Sequence, residues 1–192
     1  MEPCHGISFL NRKRRIPTLG AAALLLALGA TAVSKTYESR DAALVRVFGA
    51  EARVERRTLF LSAAQRDSAV ARGAAPIAQV RVTFYEGWRG DSLLGRAYLD
   101  THRVRNEEET VLVVVDPEGR SRHVDILAFH EPEDYLTPPR WLQQLENRSL
   151  SRRLRPGDQV DAISGATLSA RAVTEAVRRV LAVDTILHRG TR

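Results

Sequence analysis

The chain has a single cysteine, Cys4, and aromatic residues make up only 6% of it. Cys4 lies ahead of a long apolar run, so everything after that run is free of cysteine. That excludes a disulfide, an iron–sulfur cluster and a thiolate zinc site from the body of the protein. Attached haem is excluded as well, because there is no Cys-x-x-Cys-His. Redox chemistry there would need an organic cofactor or haem held in another way. With so few aromatics, the core must be built from Val, Leu, Ile and Ala. Internal repeats and low-complexity tracts are also missing. The net charge of +6 invites a nucleic-acid reading. Half of that excess comes from Arg12, Lys13, Arg14 and Arg15, set against Glu2, and no basic stripe interleaved with aromatics appears elsewhere. No nucleic-acid partner is expected.

What is present begins with that basic cluster. It is followed by residues that are apolar or small from Ile16 to Val33, apart from Thr18 and Thr31. A basic flank before an apolar run retains the N-terminus in the cytoplasm and sends the rest outward. The run is just short of the roughly 20 residues that span a bilayer, and Ala30-Thr31-Ala32 resembles a signal-peptidase site. An uncleaved anchor is the expectation, with a cleaved signal as the alternative. A buried core helix fits less well, since the run has no polar face. Residues 1–15 are thus expected to be cytoplasmic and residues 16–34 to form the transmembrane or signal helix. Residues 35–192 should form a single domain on the periplasmic side of a bacterial membrane.

Within that domain, periodicity predicts short elements in mixed order. Asp41–Phe48 reads as a helix ending at Gly49, and Leu61–Arg72 as a second, with Ser62 as N-cap and Gly73 as stop. Gln79–Glu86 alternates like a half-buried strand, and Ser92–Asp100 reads as its partner across Gly87–Gly90. Thr110–Asp116 is an apolar strand, turned at Pro117–Gly119 into a strand over His123–His130. Pro132, Pro138 and Pro139 mark an irregular loop before a short helix at Trp141–Asn147. Helices that bracket strands argue for α+β: a small mixed or antiparallel sheet with flanking helices.

The last helix is the best defined. Leu168, Val173, Ala176, Val177, Val180 and Leu181 share one face at helical spacing, so the helix begins directly after Thr167. Its first N–H groups have no partners within the helix and carry partial positive charge, which suits a phosphate. Gly165 allows a tight turn and a close approach. The same residues also read as ordinary capping, because Ser and Thr are preferred N-caps. From physical chemistry alone both readings stand. Arg171, one turn on, either bonds an anion or lies on a solvated face.

Asp161-Ala162-Ile163-Ser164-Gly165-Ala166-Thr167 resembles the Asp-x-x-(Ser/Thr)-Gly-Ala-Thr signature of covalently flavinylated FMN-binding domains. These are found in the C subunit of sodium-pumping NADH:quinone reductase and the G subunit of the Rnf electron-transport complex. The resemblance implies FMN attached to Thr167 by a phosphoester, installed from FAD by a flavin transferase with the help of a divalent metal. It implies Ser164, Gly165, Ala166, Leu168 and Ser169 as cofactor-binding surroundings, the serine two places after the threonine being usual. Asp161 is implied as part of the transferase recognition signal, since its carboxylate would repel the phosphate. The implied role is an electron carrier relaying between membrane or periplasmic redox partners, without a catalytic residue or metal site of its own. The competing reading is a non-redox periplasmic interaction domain in which Ser-Gly-Ala-Thr is only a helix cap. The resemblance covers roughly residues 158–182. The family's His-x-Glu-Thr-Pro-Gly-like loop is matched only in part by His130–Tyr135, which keeps His, Glu and Pro but lacks the Gly. No subunit-sized insertion is present, which favours a small stand-alone carrier.

Other clusters read as structural. His130, Glu131, Glu133 and Asp134 are expected to form a solvated acidic turn rather than a metal site, and Glu107–Glu109 a charged turn. His102 and His123 are expected at the surface. Tyr85, Trp88, Tyr135 and Trp141 are expected in core or rim packing.

Overall fold

The computed structural model describes residues 35–190. The expected segment 16–34 therefore lies outside the described residues. Among the described residues, no helix is long and apolar enough to cross a membrane. The elements are β1 (Lys35–Thr36), α1 (Arg40–Phe48), β2 (Arg53–Phe60), α2 (Ala63–Ala71), β3 (Arg81–Arg89), β4 (Ser92–Arg103), β5 (Glu108–Val115), β6 (Ser121–Phe129), α3 (Pro139–Leu142) and α4 (Thr167–Gly190). One 3-10 turn, Glu133–Tyr135, precedes α3 and another, Gln143–Leu145, follows it.

The strands form one antiparallel sheet in the order β1-β6-β5-β4-β3-β2. The run from β2 to β6 is a simple meander, and β1 adds to the free edge of β6. The architecture is α+β, as expected. β5 is central, and Val111 to Val115 are fully buried on both faces, which is why this strand is continuously apolar. Val111, Val113 and Val115 face one layer with Phe84, Tyr98, Val124 and Ile126, where the stripe Ala170, Val173, Val177 and Val180 of α4 packs. Leu112 and Val114 face the other layer, against Ala43, Leu44 and Phe48 of α1. Three sequential layers result: α1, the sheet, then α2, α3 and α4.

Helix starts follow their capping chemistry. Ser39 accepts from the Ala42 N–H, and Ser62 with Gln65 completes a reciprocal capping box. β2 has no counterpart in the sequence expectation. Arg53-Val-Glu-Arg-Arg-Thr-Leu-Phe60 places charge on both faces, and as an edge strand it buries none of its residues. The β3–β4 turn is also displaced. β3 runs through Gly87 and Trp88 to Arg89, which pairs with Ser92, and the ladder shifts register at Gly87/Trp88. Trp141–Asn147 divides into the end of α3 and a 3-10 turn.

Gly87 lies beneath the Phe48 ring, and a Cβ there would fall 2.3 Å from Phe48 Cδ1. The ring has no room to retreat, because Phe48 is itself buried. Gly87→Ala should therefore destabilise the fold by roughly 1–3 kcal/mol through overpacking. Thermal denaturation checks this: an unchanged midpoint would show that α1 is not pressed against the sheet as described.

Candidate functional site

The stretch around Thr167 is a loop fixed at both ends. Leu154 and Val160 are buried, and between them the Gly157 N–H donates to the Val160 carbonyl at 2.8 Å. Arg153 clamps Asp158 across the same turn, with Nη2 2.9 Å from Oδ1. The backbone of Asp161 is then held on both sides. Its N–H donates to Gln144 Oε1 at 2.9 Å, and its carbonyl accepts from the buried Trp141 indole at 2.8 Å. The Asp161 side chain itself is exposed.

Ser164 and Gly165 form an exposed bend, with Gly165 at φ +87°. Open space surrounds that glycine, so the left-handed backbone, not crowding, is what calls for it. Ala166 is buried, and its carbonyl accepts from the Ala170 N–H at 3.0 Å, which makes it the N-cap of α4. An alanine offers no side-chain oxygen. Thr167 is the first helical residue, and its exposed hydroxyl donates backward to the Ile163 carbonyl at 2.9 Å. Ser164 makes no side-chain hydrogen bond. Neither hydroxyl therefore caps the helix, and the N–H groups of Thr167, Leu168 and Ser169 meet no acceptor from the described residues. Leu168 is half exposed, while Ser169 is buried and its Oγ meets no partner.

Beside Thr167 opens a cleft of about 550 Å³, lined by Arg155, Gly157, Arg171, Thr174, Glu175 and Arg178 among others. Arg171 pairs with Glu175 at 3.0 Å, and Arg178 Nε donates to the Gly73 carbonyl at 2.6 Å. Burial lowers the Arg178 guanidinium from its ordinary value without discharging it. Arg155 and Arg171, each also paired with a carboxylate, thus line the same cleft as the exposed hydroxyl and the helix N-terminus, while Arg178 lies about 16 Å farther along α4. That end can hold a phosphate ester, and the fit rests on this chain's own free donors.

Two anchors fix α4 on the sheet. Arg179 grips Asp100 on β4 through Nη2 (2.7 Å) and Nε (2.9 Å), and Asp184 accepts from the Tyr98 hydroxyl at 2.8 Å. Behind the first anchor lies an ionic cluster absent from the sequence expectation. His102 bridges Asp100 at 2.9 Å and Glu109 at 3.1 Å, and Glu109 is fully buried. Thus Glu107–Glu109 is not simply a charged turn: Glu109 enters β5 and faces inward. His102 is likewise not a surface residue. Glu131 departs from the solvated-turn expectation too. It is buried, and its Oε1 accepts the N–H groups of Arg105, Asn106 and Glu107 at 3.1, 2.7 and 3.0 Å. Burial raises the Glu131 carboxyl, but these three donors pull it below its ordinary value. No group of His, Cys, Asp and Glu that could hold a metal occurs among the described residues.

These features define an α+β domain with an anion-accepting helix end and a displayed threonine. Residues 106–182 match the family described as FMN-binding domain, a span that contains the whole stretch from Asp161 to Ser169. That match supports a flavin-binding domain over residues 106–182. No curated protein matches the chain.

The His102 cluster generates a pH dependence. Burial works against the imidazolium, but the Asp100 and Glu109 carboxylates outweigh it and raise His102 to about 9. A raised histidine contributes stability in full below about 6.5, its unfolded value, and loses it as pH rises through 9. Unfolding free energy should therefore fall between pH 6.5 and 9, by up to about 3 kcal/mol at about 1.4 kcal/mol per pKa unit. Denaturant titrations across that range check this. His102→Gln should flatten the slope, and an equal slope in the variant would contradict the assignment.

Proposed function

We propose that this chain is an extracytoplasmic electron carrier bearing FMN covalently on Thr167. The observation that carries the reading is the first turn of α4. An exposed threonine hydroxyl stands beside three N–H groups without acceptors among the described residues, in a cleft lined by Arg155 and Arg171, inside the region that matches an FMN-binding domain. Against the helix-cap reading stands the N-cap position of Ala166, whose side chain carries no oxygen.

Attachment follows from the chemistry of a flavin transferase acting on FAD. The Thr167 oxygen forms a bond to the phosphorus that carries riboflavin, the pyrophosphate link breaks, AMP leaves, and the hydroxyl proton is released. The hydrogen bond from Thr167 to the Ile163 carbonyl must open for this. The N–H groups of Thr167, Leu168 and Ser169 then face the phosphate, with Arg171 and Arg155 adding positive charge. Asp161, exposed and set on a rigid backbone, serves as the element the transferase reads, with Ser164, Gly165 and Ala166 as the rest of the signal. Bound flavin supplies reversible acceptance of one or two electrons, and the protein supplies the tether and its electrostatics. The segment 16–34 anchors or exports the domain, so that covalent attachment prevents loss of FMN to a dilute exterior.

Mass spectrometry of the chain co-expressed with a flavin transferase tests this. The peptide containing Thr167 should gain the mass of one FMN less water, and Thr167→Val should abolish the gain. Asp161→Ala should reduce modification at least tenfold without altering the fold. An unmodified Thr167 peptide under those conditions would overturn the proposal.

A further inference from the structure

The sheet contains a split that the flavin reading does not use. β3 and β4 are paired from Phe84↔Tyr98 to Arg89↔Ser92, and there the ladder ends. Both strands nevertheless continue. β3 stays paired with β2 as far as Arg81, and β4 stays paired with β5 as far as Arg103. Arg81–Thr83 and Leu99–Thr101 therefore diverge instead of closing on each other. In an antiparallel ladder, alternate residues turn both backbone groups to the same neighbour. Each diverging edge thus aims at least one unpaired donor–acceptor set into the gap.

A cleft of about 340 Å³ occupies the divergence, within the range of small-ligand sites. Its wall on the α4 side of the sheet is apolar, formed by Ile77, Val82, Val180 and Val183, and Leu99 lines it from the α1 side. Its mouth is cationic. Arg56 on β2 and Arg81 on β3 are exposed, and neither has an acidic partner among the described residues. Arg40 reaches over from α1, 5.7 Å from the Tyr85 ring centre; it donates to the Tyr85 hydroxyl at 3.4 Å and pairs with exposed Asp41. The one carboxylate in the lining, Asp100, is already occupied by Arg179 and His102. Free guanidinium charge above an apolar wall selects a ligand with a carboxylate at one end and an apolar body at the other.

We propose that the β3–β4 split is a binding site for a small apolar carboxylate, its carboxylate held by Arg56 and Arg81 and its body against Val180 and Val183. The site is distinct from the threonine: Arg179, at the cleft, lies roughly 18 Å along α4 from Thr167 at about 1.5 Å per residue. It does not rest on the covalent-flavin reading.

Calorimetric titration of the full-length protein in detergent tests this, with benzoate and cyclohexanecarboxylate as probes and benzamide as the uncharged control. At least one carboxylate should bind saturably, and benzamide at least tenfold more weakly than benzoate. Arg56→Gln combined with Arg81→Gln should weaken carboxylate binding at least tenfold. Amide shifts in the labelled protein should move at Val82, Thr83 and Leu99–Thr101. Thr167→Val should bind as the unaltered chain does, so failure here is separable from failure of the tether. Absence of saturable binding by both carboxylates would overturn the proposal. So would equal binding of benzamide, an unaffected double variant, or shifts confined to other regions.

Discussion

The pairing of Arg179 with Asp100 governs the rest of the arrangement, because it sets where α4 lies on the sheet. The apolar stripe from Ala170 to Val183 drives the helix onto the β5 face, but a stripe tolerates sliding and rotation. A bidentate guanidinium on a β4 carboxylate does not, and the Asp184–Tyr98 bond adds a second fixed point farther along. Buried pairs of this kind add little net stability compared with an apolar replacement, yet losing one partner strands a charge. Here they fix register. Both fixed points lie in the second half of the helix, so the first turn is positioned from behind.

The loop leading into that turn is built on the same plan. Trp141 and Gln144 grip the backbone of Asp161, while its carboxylate stays exposed. Six residues later Ala166 is buried as the N-cap. Between two fixed ends, Ser164 and Gly165 bulge outward. The stretch is thus held at its ends and exposed between them.

Much of this was legible in the sequence, for identifiable reasons. The α4 stripe from Val173 to Leu181, the apolar β5 run and the N-cap at Ser62 are each strong local patterns and lie where they were expected, whereas Leu168, expected on the same stripe, is half exposed. β2 was not legible, because an edge strand has no buried face to impose alternation. Glu109, Glu131 and His102 were misplaced for a different cause. A charged residue in a polar run looks solvated until long-range contacts supply its partners, and those come from β4, β5 and the loop at 105–107. At the candidate site, Thr167 and its neighbours stood out by spacing. Arg155 and Arg178 did not, since only the turn at 155–160 and the α2–α4 contact bring them to the same cleft.

The absent cap is the physical core of the flavin proposal. A side-chain cap is worth about 1 kcal/mol to a helix, and this chain has a serine and a threonine within reach yet caps α4 with alanine. Thr167 instead turns its hydroxyl back to Ile163, which leaves the oxygen exposed and the helix donors unspent. In the unmodified protein the exposed N–H groups of this end are left to solvent. A singly charged phosphodiester at Thr167 would supply acceptors for those same N–H groups, and the helix dipole favours negative charge there by roughly 0.3–1 kcal/mol. Modification would then repair the helix end that was left open to receive it. The one contact it removes is the bond to Ile163, where the carbonyl of a half-buried residue can turn to water.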